Sequence, residues 1–395
     1  MRQIFYQAMK RMKPTMSAYD QALFWGIIML LTIGLVMVYS SSIAMAEVDK
    51  DTGFKSNYFL IRHAVFVFVG CIAAFIAFNI PTETWRKFAP ILFIGGIVLL
   101  ILVLIPGIGR EVNGSRRWLG LFVINLQPSE LVKYFVVLYA ADYSVRKNGS
   151  MNAKMSESFS KVLFPLAIVM TVVGGLLLAQ PDMGALIVVT AIAVGILFLA
   201  GFSWQLFAGL VVVLGGAFFT LIATSPYRRA RVLGFLDPWQ DPYGKGYQLS
   251  HSLIAFGRGE LTGVGLGLSV EKLSYLPEAH TDFLMAIIAE EFGFIGVAVV
   301  ICLFAFLVFR AFAIGVQANK LERHWQSLAA QGVGIWIGFQ AVINIGVNMG
   351  VMPTKGLTLP LLSFGGSGIV ANLLALGFLM RIDYENRQMI RGYNV

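Results

Sequence analysis

Side chains that can transfer protons gather just before one long apolar run. Glu278, His280 and Asp282 precede the run that begins at Phe283. Ionisable side chains at a membrane boundary are costly to bury, and for that reason they are functional candidates. Asp282 has a second interpretation, because a carboxylate in the first turn of a helix is stabilised by the helix dipole. The residues alone leave both a functional role and a capping role open for Asp282.

Two further carboxylates, Glu290 and Glu291, lie inside the same apolar run. On an α-helix, Glu290 would be about 80° around the axis and ~12 Å along it from Asp282, whereas Glu291 would fall on the opposite face. The two glutamates therefore cannot both share one site with Asp282. We expect at least one of them to be structural and paired with another helix.

Basic side chains suggest a second kind of chemistry, the binding of an anion such as a phosphate. Glu130 and Lys133 are three residues apart and are therefore neighbours on one helix face. They could form a self-contained ion pair, or the lysine could be held ready for a phosphate. The candidates for anion binding are Arg116, Arg117, Lys133, Arg258 and Lys355.

Gln340, Asn344 and Asn348 form a polar stripe along one face of a predicted helix. Amide side chains inside a membrane commonly form hydrogen bonds between helices. We therefore favour interhelical hydrogen bonds over substrate contact for this stripe.

Two other patterns carry no chemistry. The four histidines show no metal-ligand spacing, so the sequence predicts no metal site. The segment Gly263-Val264-Gly265-Leu266-Gly267 is similar to a dinucleotide-binding fingerprint, but it lacks the βαβ context that such a site requires.

The composition identifies the solvent that surrounds the elements carrying these residues. Hydrophobic residues make up 57% of the 395 residues and charged residues only 13%, whereas globular chains average about 45–50% and ~25%. So few charges cannot cover a water-exposed surface, which excludes a soluble enzyme, a secreted disulfide module and a disordered chain. The net charge is +9. The basic residues lie between apolar runs, which indicates that they face anionic lipid headgroups and not nucleic acid.

Ten segments are apolar enough, over about 20 residues, to be candidate membrane-spanning helices. They cover residues 22–44, 61–80, 88–107, 126–145, 163–180, 183–201, 204–223, 283–309, 326–350 and 361–381. The fold class predicted is an all-α polytopic membrane protein with about ten transmembrane helices. Within the long connection before the eighth span, Tyr247–Phe256 could form a short amphipathic helix on the membrane.

The distribution of Lys and Arg predicts the orientation. We expect both termini to be cytoplasmic, with a basic tail over residues 1–21, one membrane domain over residues 22–381 and a second tail over residues 382–395. The large loop over residues 224–280, between helices 7 and 8, is then extracytoplasmic. Arg116, Arg117 and Arg258 fall on the side where this rule disfavours them. Anion binding would explain them, and so would pairing with loop carboxylates such as Asp237, Asp241 or Glu260.

Several motifs along the chain resemble those of the SEDS family of polytopic bacterial cell-wall glycosyltransferases. They are Asn113–Trp118, Gln127–Glu130 with Lys133, Gln180–Gly184, Gly246–Gln248, Leu276–Phe283 and Pro353–Gly368. The resemblance extends from about Asp20 to Met380. The stretches Ala255–Leu261 and Pro353–Pro360 are more similar to the division member of the family than to the elongation member.

The resemblance implies an inverting glycan polymerase that uses lipid II, an undecaprenyl diphosphate-linked disaccharide-pentapeptide, as donor and acceptor and forms β-1,4 linkages. The family's essential aspartate matches Asp282, which would act as the base for the acceptor hydroxyl. The substrate-binding candidates are then Arg116, Arg117, Glu130, Lys133, Arg258, Glu278, His280 and Lys355. No cofactor is implied with certainty, although Mg²⁺ or Mn²⁺ could help to bind the diphosphate.

The resemblance also implies a place and partners. The place is the bacterial cytoplasmic membrane at the division septum. The partners are a class B penicillin-binding transpeptidase and small membrane activators of the septum. Three alternatives stay open from the sequence: a lipid II flippase, a scaffold that only recruits the transpeptidase, and the elongation-type family member.

Overall fold

The structure is a computed structural model that describes residues 19–112, 114–121, 124–151, 155–353 and 356–393. Its main helices are α1 (Gln21–Val48), α2 (Tyr58–Asn79), α3 (Thr82–Leu104), α4 (Pro128–Arg146), α5 (Phe164–Ala179), α6 (Met183–Leu199), α7 (Trp204–Ala223), α8 (Pro226–Leu236), α9 (Tyr247–Gly259), α10 (Leu284–Lys320), α11 (His324–Asn348) and α12 (Gly366–Ile390). Short helical turns lie at Lys50–Thr52, Asn148–Met151 and Met155–Ser158, and a π-helical turn at Phe159–Leu163 leads into α5.

Every predicted span falls on one of these helices. Within the described ranges, eight helical segments are long and apolar enough to cross a membrane: α1, α2, α3, Ser156–Ala179, α7, α10, α11 and α12. Helix α6 is apolar but shorter, and α4 carries Glu130, Lys133 and Asp142. The mostly helical, multi-pass membrane fold is confirmed, whereas the count of ten spans stays a prediction.

A small antiparallel sheet, which the sequence analysis does not predict, connects α3 to α4. Its strands are β1 (Gly109–Val112), β2 (Ser115–Leu121) and β3 (Ile124–Leu126), in the order β1-β2-β3. The sequence at the first turn reads Asn113-Gly114, a dipeptide typical of tight hairpins, and Gly114 has a φ of +71°. The sheet gives β2 a fixed register and thereby positions Arg116 and Arg117.

Two helices extend well beyond their predicted ends. The predicted tail over residues 382–395 begins inside α12, which continues to Ile390, and α10 continues to Lys320. In α12 hydropathy fails because the end of the helix is charged, whereas in α10 the mostly apolar sequence resumes after Arg310. In α12, Arg381 bonds Glu385 and Arg387 bonds Asp383, each four residues apart. Such pairs stabilise a helix that is not apolar.

The predicted extracytoplasmic loop contains two helices. Helix α9 confirms the expected helix over Tyr247–Phe256 and extends it to Gly259. Helix α8 is an additional element. The segment that follows α9 bonds to the main chain of α10 where that helix is broken.

The break in α10 is at Gly293, whose φ of +63° and ψ of −161° are not helical. The following segment of the loop replaces the lost helical hydrogen bonds. The amides of Val264 and Gly265 donate to the carbonyls of Glu290 and Glu291, and the amide of Phe294 donates to the carbonyl of Glu260. Backbone groups that cannot reach water must be satisfied in this way. Helix α10 therefore consists of two helical segments that meet at Gly293 and are bridged by hydrogen bonds to the loop.

Replacing Gly293 with alanine should destabilise the protein. A Cβ there would lie 2.6 Å from the carbonyl oxygen of Leu261, and the backbone conformation is one that only glycine adopts readily. We expect a loss of about 1–3 kcal/mol or more, measured as a lower midpoint of thermal unfolding in detergent. Gly215→Ala is the matched control, because a Cβ at Gly215 in α7 meets nothing within 4 Å. Equal midpoints for the two variants would contradict this account.

Candidate active site

Asp282 lies at the end of a turn that leads into α10, one residue before the N-cap residue Phe283. It therefore precedes the helix and does not occupy its first turn. Its main-chain carbonyl accepts hydrogen bonds from the side-chain amides of Asn344 and Asn348, each at 2.9 Å. The polar stripe on α11 thus forms hydrogen bonds to another element, as predicted, and its partner is the backbone of the candidate catalytic residue.

The carboxylate of Asp282 faces the loop between α11 and α12. A Cβ placed on Gly356 would lie 3.4 Å from Asp282 Oδ2. Gly356 is exposed and Asp282 is partly exposed, so a substrate can approach from this side. Lys355 precedes Gly356 in the sequence but lies outside the described residues, and its role stays a prediction.

His280 contributes to the framework around Asp282. Its ring is buried, with its centre 4.5 Å from the ring centre of Phe59 and 5.6 Å from that of Phe364. The amide of Phe364 donates to the main-chain carbonyl of His280 at 2.9 Å. Burial lowers the pKa of His280, and the negative charge of Glu278 opposes this effect without cancelling it. The neutral imidazole packs against Phe59 of α2 and Phe364 of the loop before α12, and it thereby connects both elements to the turn that carries Asp282.

Glu278 is exposed and has a positive φ of +58°. Its carboxylate accepts a hydrogen bond from the hydroxyl of Thr281 at 2.6 Å, and its main-chain carbonyl accepts from the amide of Phe283. These contacts shape the turn that presents Asp282. Contact of Glu278 or His280 with substrate remains a prediction.

Glu290 and Glu291 are both structural, which confirms the expectation that at least one of them would be. Glu290 is buried and pairs with Arg258 at 2.8 Å, while it also accepts hydrogen bonds from Ser269 and from the amide of Val270. Glu291 is buried and pairs with Lys272 at 2.8 Å and with the hydroxyl of Ser40. Their partners lie in the long loop and, through Ser40, in α1, and Asp282 is not among those partners.

Lys133 and Glu130 form a buried ion pair. Lys133 Nζ donates to Glu130 Oε1 and to Gln340 Oε1, both at 2.8 Å, and the Lys133 side chain has no exposed surface. Nζ also lies 5.7 Å from the ring centre of Trp336. These contacts favour the self-contained pair over a lysine that waits for a phosphate. Glu130 Oε2 has no hydrogen-bond partner within the described part of the chain.

The arginines outside the helices differ in how firmly they are held. Arg117 donates to the main-chain carbonyls of Gln180 and Pro181, at 3.0 and 2.6 Å, and so fixes the turn between α5 and α6. Arg116 pairs with Glu111 at 3.1 Å on the surface, where 39% of its side chain is exposed. Exposed pairs contribute only about 0–1 kcal/mol, so Arg116 can exchange its partner for a substrate group at little cost.

The arginine partners differ from the carboxylates proposed from the sequence. Arg116 bonds Glu111, and Arg258, with 43% of its side chain exposed, bonds Glu290. Among the described ion pairs, Asp237, Asp241 and Glu260 contact neither of these arginines. The sequence shows which residues can pair but not the register of β2 or the path of the loop through α10.

Asp182 connects three helices, a role that its sequence neighbourhood alone does not reveal. It is buried and caps α6 by accepting from the amide of Ala185, and its other oxygen accepts from Ser129 and Gln127 at the start of α4. The hydroxyl of Ser367 in α12 accepts from the amide of Gln127. An aspartate just before an apolar run is a helix-start signal, which could have identified the cap but not the network.

The described residues contain no group of three or more His, Cys, Asp or Glu side chains that could hold a metal ion.

Comparison with known proteins identifies the family. Residues 21–388 match the FtsW/RodA/SpoVE family of cell cycle proteins. This chain belongs to that family. A probable peptidoglycan glycosyltransferase FtsW of Aromatoleum aromaticum is 60% identical over 94% of this chain and 90% of its own length. The corresponding protein of Burkholderia thailandensis is 54% identical over 97% of this chain and 83% of its own length.

Solved structures of the family share the fold. One, described as the structural coordination of polymerization and crosslinking by a peptidoglycan synthase complex, superimposes with a TM-score of 0.76 at 30% identity and covers 94% of this chain and 100% of the solved chain. The rod shape determining protein RodA of Thermus thermophilus superimposes with a TM-score of 0.67 at 28% identity, covering 95% of this chain and 99% of RodA.

Lys133→Gln should lower stability, whereas Arg116→Gln should not. Breaking a buried pair costs roughly 3–5 kcal/mol because the remaining charge loses its partner, while an exposed substitution usually changes stability by about 0.5 kcal/mol or less. Thermal unfolding of the two purified variants measures this difference. Lys133→Met combined with Glu130→Gln should recover part of the loss, since it leaves no unpaired charge. A fully stable Lys133→Gln would return that lysine to the anion-binding candidates.

Proposed function

We propose that this protein polymerises peptidoglycan glycan strands from lipid II during cell division. The observation that carries the proposal is the placement of Asp282: a partly exposed carboxylate on a turn whose backbone is held by two asparagines. The names of its relatives, which are peptidoglycan glycosyltransferases of the FtsW type, supply the substrate class.

In the proposed reaction, Asp282 accepts the proton of the 4-hydroxyl of the acceptor sugar as that oxygen attacks the donor sugar at its anomeric carbon. The bond from that carbon to the undecaprenyl diphosphate breaks, and the diphosphate leaves with the electron pair. Attack opposite the leaving group converts an α-linked donor into a β-1,4 linkage. One carboxylate base is sufficient, because a diphosphate needs no proton to leave, in contrast to the acid and base pair of inverting hydrolases.

The departing diphosphate requires cations. Arg116 is the best supported candidate, because its only described ion pair is a surface pair that it can give up. Lys355 is the second, since the next residue, Gly356, lies against Asp282. Lys133, Arg117 and Arg258 already serve buried or backbone partners, so we assign them to the support of the site and not to the diphosphate.

A lipid II flippase is the alternative that one observation favours. Helix α10 is broken, and transporters often use broken helices at their binding sites. Here, however, the backbone groups at the break in α10 are hydrogen-bonded to the backbone of residues 260–265 and not left for a substrate. We therefore keep polymerisation as the proposed activity.

We further propose that the protein works at the division septum of the cytoplasmic membrane with a crosslinking partner, a class B penicillin-binding transpeptidase. The support is the similarity to a chain from a peptidoglycan synthase complex that coordinates polymerization and crosslinking. Small membrane activators of the septum are part of this proposal by resemblance alone.

Asp282→Asn should abolish glycan formation and leave the fold intact. The variant keeps the size of the side chain and its main-chain carbonyl, but it removes the base, a group that typically contributes about 10²–10⁴ in rate. The measurement is chain formation from labelled lipid II by purified protein, with unfolding temperature as the check on folding. Asp237→Asn, in the same predicted extracytoplasmic loop region, is the control. Polymer at the wild-type rate from Asp282→Asn would refute the assignment, and polymer from none of the proteins would favour the flippase.

The proposed orientation has its own test. With Cys71 and Cys302 replaced by alanine, Tyr243→Cys should react with an impermeant maleimide in intact spheroplasts, because Tyr243 is 91% exposed in the loop over residues 224–280. Lys320→Cys, at the exposed end of α10, should react only after lysis. The reverse pattern would overturn the orientation.

A further inference from the structure

A cavity of about 480 Å³ opens at the end of the bundle opposite Asp282. It lies between the starts of α3 and α11 and the charged end of α12, and its lining includes Thr82, Arg323, Gln326, Arg381, Gln388 and Tyr393. Gln326 and the Asp282-binding Asn348 are about 22 residues apart on α11, or ~33 Å at 1.5 Å per residue. The cavity therefore lies at the other membrane face and takes no part in the proposed reaction.

Two largely buried arginines of this cavity share one buried carboxylate. Arg323 and Arg381 both bond to Glu385, and only 11% and 15% of their side chains are exposed. The amide and the hydroxyl of Thr82 also donate to Glu385. Glu83, at the rim, is mostly exposed and accepts from Gln326, so it offsets little of the buried positive charge. The buried groups thus carry an excess of one positive charge.

The arginines also have donors to spare. The described hydrogen bonds of Arg323 use Nη1 and Nη2, and those of Arg381 use Nε and Nη1. Within the described ranges, Arg323 Nε and Arg381 Nη2 thus have no acceptor. Burial lowers the pKa of Arg323, and the charge of Glu385 opposes this shift without cancelling it. An additional anion would balance the positive charge that Glu385 alone leaves uncompensated.

We propose that this cavity binds the phosphodiester headgroup of a phospholipid in the leaflet at that face. The volume is that of a small-molecule site, and guanidinium groups are suited to phosphate oxygens. The starts of α3 and α11 add the positive ends of two helix dipoles. Tyr384, with its ring centre 5.2 Å from the guanidinium carbon of Arg381, and Tyr393 provide the amphipathic lining typical of the headgroup level.

The neighbouring surface suits acyl chains. Phe75 and Ile76, near the end of α2 that leads to Pro81 in the cavity wall, are 70% and 52% exposed. A free phosphate would make no use of such a surface, and an acidic peptide would leave it uncovered. This is why a lipid is favoured over either of those ligands.

The test compares ligands that share parts of the proposed lipid. Purified wild-type protein in detergent is titrated with dioctanoyl phosphatidylglycerol, with dioctanoylglycerol, with inorganic phosphate and with a soluble acidic peptide, while the unfolding temperature is recorded. The phospholipid should raise the unfolding temperature at concentrations at least about tenfold lower than inorganic phosphate requires, because only the lipid also covers the apolar surface. Dioctanoylglycerol, which lacks the phosphate, should have no effect at those concentrations.

Two variants separate binding from folding. Gln388→Trp fills the cavity without breaking an ion pair, and Arg381→Gln removes the excess positive charge while Glu385 keeps Arg323 as its partner. Each should weaken phospholipid binding by about tenfold or more, whereas Met389→Trp, on the same helix but outside the lining, should bind as the wild type does. Equal effects of phospholipid on Gln388→Trp and Met389→Trp would overturn the proposal. So would equal potency of dioctanoylglycerol, inorganic phosphate or the peptide.

Discussion

A charge or a peptide group inside the hydrocarbon of a membrane cannot form hydrogen bonds to water, so the protein itself must provide a partner for every such group. Most of the unusual contacts in this chain meet that requirement. Lys133 is surrounded by Glu130, Gln340 and Trp336. The broken ends of α10 bond to residues 260–265. Residues 260–265 of the long loop between α7 and α10 thus complete the backbone hydrogen bonds of the membrane domain.

The same requirement determines how the candidate catalytic residue is positioned. Asn344 and Asn348 hold the main-chain carbonyl of Asp282. A residue anchored through its backbone keeps its place when its side chain binds, moves or exchanges a proton. Around it, His280 connects the turn to Phe59 and Phe364 by packing. The amides of Asn344 and Asn348 hold the backbone of Asp282, whereas the buried ion pairs of Lys133, Glu290 and Glu291 use other partners.

Much of the fold could be predicted from the sequence, because apolar runs of the required length have few alternatives in a membrane. The polar stripe on α11, and a structural role for at least one of Glu290 and Glu291, followed from helix geometry. The end of α12 at Ile390 was missed because hydropathy does not detect charged turns held by pairs such as Arg381 with Glu385. The end of α10 at Lys320 was missed because the predicted span stops before the charged Arg310. The partner of Arg116 could not be predicted because it depends on the register of the hairpin formed by β1 and β2. The partners of Arg258 and Asp182 depend on contacts between segments distant in sequence.

The ion pair between Asp20 and Arg310 and the break at Gly293 mark two levels along α10, and their spacing can be compared with the thickness of a membrane. They are separated by about 17 residues of α10, or roughly 26 Å of helix, which approaches the ~30 Å thickness of the hydrocarbon layer. If the charged pair lies at one interface, the break lies close to the other and not at the midplane. The half-helix Leu284–Phe292, whose first eight residues are buried, then lies at the interface and is covered by other parts of the protein. Asp282, which precedes it, would then lie at the depth of lipid headgroups and their attached sugars.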